Sequence, residues 1–128
     1  MAAALVYVQI VFGTLLTHAG RLALHLAGAA LVFVVVPLVT AQLRHTGDAV
    51  AAALASLLLV LLGVQLSLGA GSYLARFSSL WMPGAQTTVV LLPVAHRLVG
   101  SLILGAAVAL AVRVSGVAAN PVPALDKS

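Results

Sequence analysis

Between Leu22 and Leu43 the chain runs for 22 residues without a charged side chain, and residues 49–75 do the same over 27. In a soluble domain, segments this long would need apolar cover on every face. A bilayer crossing takes roughly 20 apolar residues, because lipid offers the backbone no partner and a helix supplies its own. Two further stretches, 2–17 and 87–112, are nearly as poor in charge. The whole chain of 128 residues carries six basic and two acidic side chains. A soluble domain spends about a quarter of its residues on charge. The reading is therefore an all-α membrane protein with four transmembrane helices over about 2–17, 22–43, 49–75 and 87–112. Residues 1–113 form one domain, followed by a disordered tail, 114–128, that contains Asn120-Pro121-Val122-Pro123.

Local features refine this reading. The first stretch lacks the basic start of a signal peptide and is read as a short span. Pro37 and Pro93 fall inside spans, where neighbouring helices can re-satisfy the carbonyls they free. Gly69 and Gly71 are expected to loosen the last turns of the third span. Residues 76–86 form the one long loop, with a short amphipathic element, and there Trp81, with Tyr73 nearby, suits a membrane interface. His18 and His45 fall in loops, as solvated side chains. The absence of cysteine excludes disulfides, thiolate metal sites and cysteine nucleophiles. A formal charge of +4 spread over scattered arginines and one lysine makes no nucleic-acid surface.

Arg21, Arg76 and Arg97 lie toward one side of the membrane, and Arg44, Arg113 and Lys127 toward the other. If Arg21 and Arg97 are held inside the bundle, the remaining balance is three to one and places both termini in the cytoplasm, in a bacterial or archaeal plasma membrane.

Val8-Gln9-Ile10-Val11-Phe12-Gly13 recurs 56 residues later as Val64-Gln65-Leu66-Ser67-Leu68-Gly69. Each copy lies in an odd-numbered span, and each following span carries one histidine in its outer half, His25 and then His96. The unit is a helical hairpin, Gln-x-x-x-Gly followed by His. Two such hairpins, related by a pseudo-two-fold axis along the membrane normal, make an antiparallel four-helix bundle. At 1.5 Å per residue the histidines lie roughly 9 and 13 Å below the same surface, in one leaflet.

Ionisable groups inside a bilayer are costly and mark function by default. Two imidazoles facing each other across a bundle match bis-histidine ligation of a haem iron. Arg21 lies one turn before His25 on the same helix face, and Arg97 directly follows His96. Both are candidates for the haem propionates, which favour planar, bidentate cations. Gly13 and Gly69 would let a flat macrocycle or a neighbouring helix approach the backbone closely. Gln9 and Gln65 read as hydrogen-bond glue between helices, and Gly100, Gly105 and Ala106 as ordinary close packing. The chain has no glutamate, and neither aspartate lies in a span, so no carboxylate pair or catalytic triad is available.

These residues, Gln9-x-x-x-Gly13 leading to His25-Leu26 and Gln65-x-x-Leu68-Gly69 leading to Ala95-His96-Arg97-Leu98-Val99-Gly100, resemble the haem A synthase family of cytochrome oxidase assembly proteins. The resemblance covers nearly the whole chain but one half of a usual member, which has two four-helix halves, each with a histidine pair. It implies that His25 and His96 are axial ligands of one b- or o-type haem, with Arg97 near its propionates. It also implies a role in oxidising the haem O methyl group to haem A. Two departures stand out. Pro93 occupies the place of the family's catalytic glutamate, and the cysteine pair of an extracytoplasmic loop is missing. A homodimer would restore the eight-helix arrangement, and cytochrome oxidase or haem biosynthesis proteins are the implied partners. Two other functions remain open: a b-type cytochrome passing electrons, and a cofactor-free structural subunit in which the histidines only bond across helices.

Overall fold

A computed structural model describes residues 2–19, 22–45, 47–77 and 85–119. They form four helices: α1 (Ala2–Ala19), α2 (Leu22–Leu43), α3 (Ala49–Phe77) and α4 (Ala85–Ala119). Each helix packs on the next in sequence, and α4 returns to α1, which closes an all-α four-helix bundle. α1 thus lies diagonal to α3, and α2 diagonal to α4. The most extensive interfaces lie within the two hairpins, α3 on α4 and α1 on α2.

Three helices are long and apolar enough to cross a membrane: Leu22–Leu43, Ala49–Arg76 and Gln86–Val117. The first helix contributes a shorter apolar stretch, Ala2–Leu15. Their outward faces are as apolar as their inward ones. On α2, Val36 is buried while Leu31, Val34 and Leu38 are more than half exposed. Such a surface suits lipid and would aggregate in water. The buried stripe of α2 is Val32, Val36 and Thr40, one residue per turn. Thr40 bonds back along the helix, its Oγ1 donating to the carbonyls of Val36 at 2.9 Å and Pro37 at 3.0 Å.

Packing is unequal along the bundle. The core consists of Val6, Val32, Val36, Ala51, Leu58, Leu62, Ile103, Ala106, Ala107 and Leu110, all toward the end that carries the α2–α3 turn. Among the described residues, none from 7 to 31 or from 63 to 99 is fully buried. The well-packed end is also closed by polar contacts. Gly47 turns the chain with φ of 76°, in the left-handed region that glycine enters without cost. Asp48 then caps α3, its Oδ1 accepting from the backbone N–H of Val50 at 3.0 Å and Ala51 at 3.2 Å. The same carboxylate accepts from Arg113 Nε at 2.9 Å and Nη2 at 3.3 Å. That guanidinium, foremost, holds the Asp48 carboxyl below the usual carboxylate range. Nearby, Arg44 Nη2 donates to Ser56 Oγ at 3.2 Å.

Several boundaries differ from the sequence reading. α4 continues to Ala119, so the start of the expected disordered tail is helical. Arg113 is paired with Asp48, which ties this part of α4 to the start of α3. At 35 residues α4 is about 52 Å long, well beyond a hydrocarbon core of about 30 Å. α3 runs unbroken past Gly69 and Gly71 to Phe77, since in lipid a helix that unwinds leaves its backbone without partners. His18, expected in a loop, lies within α1 because the helix runs on to Ala19. Residues 78–84, with Trp81, the tail beyond Ala119, and Arg21 lie outside the described residues.

Candidate functional site

His25 projects from the first turn of α2 and His96 from α4, the two helices that face each other across the diagonal. Their rings meet at the loosely packed end, with centroids 6.3 Å apart and planes at 77°. Both side chains are half-buried. No other pair of ring groups approaches in this way among the described residues.

Each ring rests on the preceding helix of its own hairpin. A methyl group added at Gly13 would sit 3.5 Å from Cε1 and 3.6 Å from Nδ1 of His25. One added at Gly69 would sit 3.2 Å from Cε1 of His96, tighter than an ordinary contact. The glycine one turn after each glutamine thus makes room for an imidazole lying along the helix. The space expected at these glycines for a flat macrocycle or a neighbouring helix is taken by the histidine ring itself.

The glutamines hold the rings. Gln9 Nε2–H donates to the backbone carbonyl of His25 at 2.8 Å and lies 3.1 Å from its Nδ1. In the second hairpin Gln65 Nε2 lies 3.2 Å from His96 Nε2, and His96 Nδ1 lies 3.2 Å from the Gln65 backbone carbonyl. The reading of both glutamines as interhelical hydrogen-bond partners is borne out. A contribution that the sequence analysis did not assign comes from Gly28 and Gly100, which make room for the glutamine amides. A Cβ at Gly28 would collide with Gln9 Oε1 and come within 3.1 Å of Phe12, and one at Gly100 would lie 3.2 Å from Gln65 Nε2. Their signal is a glycine three or four residues after each histidine. Gly105, read with Gly100 as close packing, is exposed, with no atom within 4 Å of a Cβ placed there. The amide oxygens Gln9 Oε1 and Gln65 Oε1 are buried without a hydrogen-bond partner.

Charge is sparse around the pair. Arg97 stands beside His96 on α4 with an exposed side chain. Pro93, three residues before His96, offers no proton-carrying group. Asp48, the acid among the described residues, lies at the opposite end of the bundle, bonded to Arg113. No group of three or more His, Cys, Asp or Glu side chains forms a metal cluster among the described residues. The site thus offers two imidazoles and the two glutamine amides that bond them. It can ligate or hydrogen-bond, and it lacks a carboxylate for acid–base work. Comparison with known protein families, curated proteins and solved structures gave no match to this chain.

Proposed function

We propose that this protein is a haem-binding integral membrane protein resembling one half of haem A synthase, acting in haem A formation or cytochrome oxidase assembly. The observation that carries this reading is the meeting of His25 and His96 from diagonal helices, 6.3 Å apart between centroids. Each ring could lend one nitrogen to a group held between the two helices once its glutamine contact is given up. The donor set discriminates between classes of metal site. Two histidines are too few for a bare cation, which needs four or more ligands, but they suffice for iron already held by four macrocycle nitrogens.

In this reading four spans form two pseudo-symmetric hairpins, each with the set Gln, Gly, His and Gly, and both termini face the cytoplasm. His25 and His96 would hold the haem iron, and Arg97 and Arg21 would serve its propionates. When bound, the haem supplies redox chemistry at its iron and porphyrin edge. The chain's own residues ligate it, shield it from water and balance its carboxylates. A homodimer would rebuild the eight-helix arrangement of the resembled family.

A second reading, a b-type cytochrome that only passes electrons, is favoured by Pro93 and by the distance of Asp48 from the pair. Absorption spectra and haem extraction of detergent-purified protein test both. The expected result is a Soret band that is lost or shifted in His25→Ala and His96→Ala. Conversion of added haem O separates synthase from cytochrome. Protein expressed with ample haem that shows no Soret band refutes both readings and leaves a structural subunit.

A further inference from the structure

We propose that Gln9 and Gln65 set the two histidines in opposite tautomers, so that His96 is the firmly held ligand and His25 the exchangeable one. The ranking of ligands rests on the haem reading; the tautomers do not.

The assignment follows from which atoms can donate. An amide nitrogen has no acceptor capacity, and a backbone carbonyl has no donor. Gln9 Nε2 is identified as the nitrogen by its bond to the His25 carbonyl at 2.8 Å, which only a donor can make. The same nitrogen faces His25 Nδ1 at 3.1 Å, so Nδ1 carries the lone pair and the proton resides on Nε2. At His96 the logic reverses. Nδ1 faces the Gln65 carbonyl at 3.2 Å and must carry the proton, which leaves the lone pair on Nε2, where the Gln65 amide donates at 3.2 Å.

A metal-bound imidazole commonly donates its other ring N–H to a carbonyl or carboxylate, which fixes the tautomer and orients the ring. His96 already has that arrangement, with Nε2 as the ligating atom. For His25 to ligate through Nε2, its proton must move to Nδ1, and the contact with the Gln9 amide must be given up. Ligation through Nε2 displaces a glutamine amide at either residue, but His96 keeps its tautomer and its Nδ1–H bond to the Gln65 carbonyl, whereas His25 must also move its proton. Gln9 acts through His25 and is a positioning residue.

The test uses apo-protein with ¹⁵N-labelled histidine in detergent micelles, since ring nitrogens with and without a proton resonate far apart. His25→Ala and His96→Ala assign the signals. The expected result is Nε2–H at His25 and Nδ1–H at His96, each dominant by about fivefold, the ratio one net hydrogen bond supplies. The same tautomer at both overturns the proposal. Gln9→Glu replaces the donor with an acceptor and should move His25 to Nδ1–H while leaving His96 unchanged. If that variant fails to fold, Gln9→Met should leave His25 a mixture; an unchanged His25 in the folded variant overturns the role of Gln9. In haem-loaded protein, His25→Ala should keep the haem in a five-coordinate, carbon monoxide-binding form, and His96→Ala should lose it. Equal loss from both overturns the ranking. Wild-type protein that takes up no haem refutes the proposed function and leaves the tautomer result standing.

Discussion

Replacing Gly28 with alanine places a methyl group where the Gln9 amide oxygen now lies and 3.1 Å from the Phe12 ring. Gln9 is flexible and can withdraw, but withdrawal breaks its bond to the His25 carbonyl at 2.8 Å and its approach to Nδ1 at 3.1 Å. At about 0.5–1.5 kcal/mol net for each bond, the loss is about 1–3 kcal/mol. Alanine returns about 0.5–1 kcal/mol over glycine within a helix, which leaves a net destabilisation of about 0–2.5 kcal/mol. Gly63 is the control, because nothing lies within 4 Å of a Cβ there. Gly63→Ala should hold or raise stability. Unfolding in mixed micelles followed by circular dichroism measures both. A double-mutant cycle with Gln9→Ala isolates the cause: once the amide is gone, Gly28→Ala should cost little, giving a coupling of about 1–2 kcal/mol. Equal stability of Gly28→Ala and Gly63→Ala, or an additive cycle, would refute the reasoning.

Leu58 is 1% exposed in the core and Leu57, its neighbour, faces outward at 46%. Because unfolded membrane helices remain in lipid, Leu58→Ala loses packing without a water-transfer term, and about 1–3 kcal/mol is expected against near zero for Leu57→Ala, measured by the same unfolding assay. Asp48 gives a pH dependence. Arg113 holds its carboxyl below the ordinary range of about 4, so the stabilisation is complete above that range and lost as pH falls through the lowered value. Thermal melts of wild type should fall in acid relative to Asp48→Asn, and parallel pH curves would contradict the ion pair.

The helices were legible because an uncharged run of more than 20 residues has few solutions other than a span. Where reading stopped short, the missing information was long-range. Arg113 looks like the end of a span until its partner Asp48, 65 residues earlier, is brought beside it. Gly69 and Gly71 resemble helix breakers by their soluble-protein propensity, which lipid overrides. The repeat of Gln-x-x-x-Gly pointed to the histidines, and their meeting agrees with the depths computed from helix rise. Sequence could not show that Gly28 and Gly100 receive the glutamine amides, since that depends on how far each hairpin's helices slide past one another. Nor could it show that the two histidines differ in which ring nitrogen faces a donor, because the motif around them is alike and only side-chain geometry separates them.

The concentration of buried side chains at one end has a consequence for how the protein can change. Cohesion comes from Leu58, Ile103 and their neighbours, while His25, His96 and the glutamines belong to the other end. Substitutions around the imidazoles therefore leave the apolar core untouched and act on the bundle only through the hydrogen bonds of Gln9 and Gln65. The molecule resembles a clothes peg, whose grip is independent of what its open jaws hold. Residues at the loosely packed end can therefore change without removing the apolar core that holds the bundle together.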